Sequence, residues 1–139
     1  MPGFVLTRLD LGPAELEAAL PLRADALRVM PGADRPDYLL ARFERPLRYR
    51  TPVGFDMDRA DPALRGSDEE GPFVIVQGIV VCARFVGQGF RSGMRDLAVN
   101  IAYVIDNTVA NDASVDFAKL EYVAVGFIDD VVGAPTPAG

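Results

Sequence analysis

The chain has 139 residues, of which 50% are hydrophobic, and a formal net charge of −6 at pH 7. This length fits one domain, and a domain of this size can bury enough apolar surface to fold without a disulfide or a metal. With no histidine and a single cysteine, Cys82, the sequence excludes Ser-His-Asp and Cys-His nucleophile systems, His-containing zinc sites and an internal disulfide.

The N-terminal part of the chain predicts a strand followed by a helix. Residues 4–11 alternate between apolar and polar side chains, as a half-buried strand does. Gly12 and Pro13 then suit the start of a helix, and Pro21 should kink that helix or split it in two. The apolar positions that keep helical spacing are Leu16, Leu20, Ala24 and Leu27.

Four later segments have the composition of strands: 38–50, 73–85, 94–106 and 117–129. In the first, Pro46 cannot donate a ladder hydrogen bond, which predicts either an edge strand or a bulge. The second is apolar on both faces, which is typical of a strand in the middle of a sheet. The third fits both a strand and a helical stripe, and its β-branched residues favour the strand.

These elements predict one α+β domain over residues 1–132, with a mainly antiparallel sheet of about five long strands. The kinked N-terminal helix would cover one face of the sheet, or the sheet would curl towards a barrel. Residues 133–139 predict a flexible C-terminal tail. The first residues lack the pattern of a signal peptide, and no apolar run is long enough to span a membrane, so we expect a cytoplasmic protein with no membrane partner.

Three aspartates, Asp56, Asp58 and Asp61, lie in a loop from about 52 to 72 that is rich in Pro, Gly and Asp. Carboxylates are the ligands that calcium and magnesium prefer. The spacing does not match an EF-hand loop, because Asp61 stands where that loop requires glycine and Ser67 where it requires glutamate. We therefore interpret the segment as a polar loop, with a metal site as the lesser alternative, and predict no cofactor.

A glycine-rich stretch, GQGFRSG at 87–93, follows the second of these strands. Its GxGxxxG spacing differs from the dinucleotide-binding fingerprint, and it lacks the Gly-Lys-Ser/Thr ending of a phosphate-binding P-loop. Glycines that join two long strands in a hairpin explain the stretch more simply.

The candidate interaction surface is an arginine-rich segment made of Arg42, Arg45, Arg48, Tyr49 and Arg50. Basic residues interleaved with aromatic ones are used to bind single-stranded nucleic acid, but the acidic chain argues against that partner. One alternative is a solvated strand face paired with acids such as Glu44, Asp56 and Asp58. We favour a protein contact, with an acidic partner that could be another copy of this chain.

Two functions follow as hypotheses. The first is a non-catalytic structural or protein-interaction subunit that forms a homo-oligomer or a larger assembly, such as a phage-like or secretion-related particle, with the 54–70 loop as a second contact surface. The alternative is a small-ligand-binding α+β domain with an apolar pocket between sheet and helix. The residues that would line this pocket are Leu16, Leu20, Phe43, Val76, Ile101, Tyr103 and Val123.

Catalysis is left with few groups. A Lys119–Glu121 pair would lie on one strand face, where an ordinary charge pair is far commoner than a catalytic one. The sequence leaves enzymatic activity open and favours its absence.

Overall fold

The structure, a computed structural model, describes residues 3–30, 38–84, 90, 93–105 and 121–132, without the side chains of 26–30 and 130–132. Over these ranges the chain forms strands, one short helix and two 3₁₀ turns, at Met57–Arg59 and Pro62–Leu64. In chain order the helix and strands are β1 (Gly3–Leu11), α1 (Ala14–Ala18), β2 (Leu22–Met30), β3 (Tyr38–Arg50), β4 (Arg65–Asp68), β5 (Gly71–Ala83), β6 (Leu97–Val104) and β7 (Tyr122–Val132).

Six of the strands close into an antiparallel barrel. They pair in the order β3-β2-β1-β7-β6-β5, and β5 pairs back onto β3. The short strand β4 adds only a hairpin to the beginning of β5. Closure leaves the barrel strands without free edges. The predicted α+β fold is therefore wrong: the described chain is mostly strand, and its one helix has five residues.

The predicted kinked helix is replaced by α1 and β2. The helix ends at Ala18, before Pro21, which cannot continue it. Beyond Pro21 the chain alternates, with Leu22 and Ala24 buried and Arg23 exposed. The helical spacing of Leu20, Ala24 and Leu27 is a coincidence. The segment forms a strand because it pairs with β1 and β3.

The third strand confirms its prediction, including the irregularity at Pro46. Its register with β5 passes from Arg42 opposite Gly78 directly to Leu47 opposite Val76, so β3 contains extra residues there. This is a bulge rather than a sheet edge, because β3 has neighbours on both sides.

Burial of both faces is as predicted over the second half of β5, residues 78–83. Ile79 and Val81 belong to the central core, while Val80 and Cys82, which alternate with them on the outer face, are 0% and 4% exposed. The ambiguous segment is a strand, β6, although shorter than predicted. For β7, the predicted residues 117–120 lie outside the described ranges, as does the 133–139 tail.

A single apolar core fills the barrel. Leu16 of α1 is fully buried at the end of the barrel where β1 leads into β2. Phe90, which follows β5 and precedes β6 in the sequence, is buried at the opposite end. No helix within the described residues is long and apolar enough to cross a membrane.

Candidate functional site

Two of the predicted surface arginines are held by the β4–β5 hairpin. Arg50 forms a two-pronged ion pair with Asp68, at 2.6 Å for Nη1 to Oδ1 and 2.5 Å for Nη2 to Oδ2. Arg48 Nη1 contacts Oδ2 of the same carboxylate at 2.8 Å, and its guanidinium lies 4.2 Å from the centre of the Phe73 ring. The hydrogen bond from Arg50, helped by the backbone N–H of Glu70 and by both positive charges, holds the pKa of Asp68 well below its usual range.

The other two arginines lie at the bulge. An open groove of about 350 Å³ is lined by Arg42, Phe43, Pro46 and Gln77, and we call it the bulge groove. Phe43 belongs to the central core and is only 5% exposed, while Arg42 and Pro46 are exposed at the sides of the groove. Arg45 is exposed in the same bulge, next to the exposed Glu44, and its Nη2 donates to the carbonyl oxygen of Ala19 at 3.4 Å. The groove therefore places an exposed apolar residue, Pro46, beside the positively charged Arg42.

Tyr49 does not join the arginine surface. Its ring points to the barrel end covered by α1, where it meets Tyr103 edge-on at 5.1 Å and Phe55 edge-on at 6.1 Å between ring centres. The Tyr103 hydroxyl donates to Oε1 of Glu15 at 3.2 Å. We call these four residues, Glu15, Tyr49, Phe55 and Tyr103, the mouth cluster.

The mouth cluster keeps its phenols protonated. Burial, followed by the charge of Glu15 and its hydrogen bond, raises the pKa of Tyr103 strongly above its ordinary value. Burial and the charges of Glu15 and Glu121 also raise the pKa of Tyr49. At neutral pH both phenols are therefore protonated, and that of Tyr103 donates its hydrogen bond to Glu15.

The raised pKa of Tyr103 predicts a loss of stability in alkali. A phenol whose pKa is higher in the folded than in the unfolded chain stabilises the fold below the unfolded pKa, about 10, and this contribution is lost as the pH rises further. Urea unfolding measured across alkaline pH should show that the free energy of unfolding falls less steeply with pH in Tyr103→Phe than in the wild type. Identical pH profiles for the two proteins would contradict the assignment.

The three loop aspartates have structural roles. Asp56 accepts from the backbone N–H of Asp58 at 3.0 Å, and Asp61 accepts from that of Ala63 at 2.8 Å. The carboxylate of Asp58 lies 3.0 Å from Arg65 Nη1. Within the part of the chain that the structure describes, no group of three acidic, cysteine or histidine side chains is placed to hold a metal ion.

The loop that contains these aspartates is tied to the mouth cluster. The backbone N–H of Asp61 donates to the carbonyl of Ile105 just beyond β6, at 3.0 Å. Arg59 pairs with Glu121 at 2.8 Å and lies 5.8 Å from the centre of the Phe55 ring. Much of the predicted second contact surface thus has intramolecular partners.

The predicted pocket residues are brought together, but as core. Four of them are buried in the central cluster and three are partly buried against it. The first set is Leu16, Phe43, Val76 and Ile101; the second is Leu20, Tyr103 and Val123. Only Phe43 also lines the bulge groove.

Two sequence candidates fall outside the described residues, and two partners were not predicted. Lys119 and most of the 87–93 stretch lie outside the described ranges. Sequence reasoning missed Asp68 as the partner of Arg48 and Arg50, and Glu15 as the partner of Tyr103. The latter contact joins positions 88 residues apart, so no local spacing could reveal it.

Three features therefore organise the described surface: the bulge groove, the mouth cluster, and the pairing of Arg48 and Arg50 with Asp68. Their geometry carries the functional argument, because no family model, no curated protein sequence and no solved structure matches this chain.

Proposed function

We propose that this protein is a non-catalytic interaction subunit that self-associates into a homo-oligomer or a larger assembly, with the bulge groove as a contact surface. The observation that carries the proposal is an interior filled by side chains together with a charged groove on the outside of the barrel. We extend it to a component of a particle, such as a phage-like or secretion-related one, located in the cytoplasm. Cys82, the single cysteine, is a buried thiol, which suits a reducing compartment.

The filled interior supports an interaction role over the binding of a small apolar ligand. A ligand between the helix and the strands would need the space that Leu16 occupies, and Leu16 is 0% exposed. Ile101 and Val76 fill the barrel beneath it and are equally buried. In a small barrel, inward side chains of this size leave room for little else.

The bulge supplies backbone groups and side chains that a partner can use. The register of β3 with β2 ends at Phe43, and its register with β5 passes from Arg42 to Leu47. The intervening residues Glu44, Arg45 and Pro46 are all exposed. Bulges leave residues outside the ladder and redirect their side chains, which is why they recur at functional surfaces.

Charge also favours association between copies. The chain has a net charge of −6, yet the exposed charged residues at the bulge are two arginines, Arg42 and Arg45, and one acid, Glu44. Arginine is enriched at protein interfaces, since its flat guanidinium both stacks and donates several hydrogen bonds. A positive groove on a negative molecule is complementary to the remaining surface of another copy.

Hydrogen–deuterium exchange at low and high protein concentration tests the proposal. We expect the backbone amides of Glu44 and Arg45 to become more protected as the concentration rises, because a neighbouring copy would cover these exposed residues of the bulge. Residues 124–128 of β7, on the opposite side of the barrel, serve as the internal control and should not change. Exchange that is independent of concentration throughout the chain would contradict self-association.

A further inference from the structure

The tip of the β4–β5 hairpin is a fixed acidic projection. Asp68 pairs with Gly71 across the hairpin, which leaves Glu69 and Glu70 at its turn. The backbone N–H of Glu70 donates to Asp68 Oδ1 at 2.9 Å, and the Asp68 carboxylate is itself held by Arg50. The Glu70 side chain is 80% exposed even though its carboxylate lies 3.3 Å from Arg50.

The bulge groove has the opposite charge. Arg42 and the exposed Pro46 line it, and the exposed charged residues of the bulge, Arg42 and Arg45 with Glu44, leave a net positive charge. A narrow two-residue turn with adjacent carboxylates can bring one of them to the exposed guanidinium of Arg45 while its backbone covers Pro46. Carboxylate and guanidinium form the strongest hydrogen-bonded pairs available to side chains.

Within one copy the tip and the groove are separate. Gly71 begins β5 and Gln77, which lines the groove, lies six residues further along the same strand. At roughly 3.3 Å per residue this separation is about 20 Å. Because β5 is a paired barrel strand, the two features cannot approach each other, and any contact between them must join two copies.

We propose that the acidic tip formed by Glu69 and Glu70 of one copy docks into the bulge groove of the next copy. This inference depends on the proposed self-association and specifies its contact. Since the two surfaces differ, the contact is head-to-tail, and an open chain of copies keeps one unused tip at one end and one unused groove at the other until a ring closes. Such contacts produce rings or filaments rather than a two-fold dimer.

Charge reversal tests the pairing by sedimentation velocity. Glu69→Lys and Arg45→Glu should each weaken self-association at least about tenfold, because like charges then meet in the contact. Asp10→Lys, which reverses an exposed acid on β1, is the matched control and should leave association near the wild-type level. Circular dichroism establishes that each variant folds.

Rescue distinguishes a contact between copies from an indirect effect. A mixture of the two variants, and the double variant Glu69→Lys/Arg45→Glu, should both regain association, because every contact again joins opposite charges. Two results would overturn this inference alone, provided that the wild type associates. One is failure of both rescues; the other is a loss of association in Glu69→Lys and Arg45→Glu no larger than in Asp10→Lys. A strictly monomeric wild type would overturn the proposed function as well.

Discussion

Replacing Leu16 with alanine is expected to lower the free energy of unfolding by about 2–5 kcal/mol, the usual range for a buried leucine truncated to alanine. Leu16 is 0% exposed and is the buried residue of α1. A helix of five residues is not stable by its own hydrogen bonds, so its attachment depends on this side chain. Urea denaturation at neutral pH measures the loss.

The neighbouring position provides the control for this prediction. Glu17 is exposed on the same short helix, and Glu17→Ala should change the free energy of unfolding by less than about 0.5 kcal/mol. Leu16→Ala should also loosen the contact between Glu15 and Tyr103 and so move the raised pKa of Tyr103 back towards its ordinary value. A Leu16→Ala protein as stable as Glu17→Ala would show that α1 does not seal the barrel.

Gly126→Ala is expected to destabilise the barrel by about 1–3 kcal/mol, through overpacking rather than through a cavity. A methyl group at Gly126 would lie 2.7 Å from the backbone carbonyl oxygen of Arg8 and 2.8 Å from a methyl carbon of Leu9. The carbonyl belongs to β1, which pairs with β7 at this point, so the two strands would have to separate. Thermal and urea unfolding both measure this effect.

Gly66→Ala is the matched control for Gly126→Ala. Its added methyl would also meet an atom at 2.7 Å, but that atom is the far end of the Phe73 ring, which can shift. Gly66 lies on the short strand β4 outside the closed barrel, and we expect a cost below about 1 kcal/mol. Equal stability of the two variants would contradict the close approach of β1 and β7.

The strands could be predicted where local pattern and tertiary environment agree. The bounds of β3, the bulge at Pro46 and the burial of both faces over the second half of β5 follow from alternation, a missing N–H donor and a continuous apolar run. The helix prediction for Leu22–Met30 was wrong because the apolar residues of this segment fit both helical and strand periodicity. Only pairing with the distant strands β1 and β3 selects the strand. Closure of β5 onto β3 likewise has no local signal.

The candidate site could be predicted only in part, because contacts between segments that are distant in the sequence have no local signal. The arginines of the predicted surface segment do lie on the surface, but Tyr49 does not. Tyr49 is on the same face of β3 as Phe43, and both point towards the barrel interior. The suggested partners Glu44, Asp56 and Asp58 are not those of Arg48 and Arg50, which pair with Asp68. That pairing requires the β4–β5 hairpin, a short strand concealed in a loop rich in turn residues.

Light scattering of the purified wild-type protein, over a wide range of protein and salt concentration, tests the central claim most directly. We expect a mass that is a multiple of the 15.0 kDa chain and that falls as salt increases, because the proposed contact joins carboxylates to guanidiniums. A mass of one chain at every concentration and salt would contradict self-association.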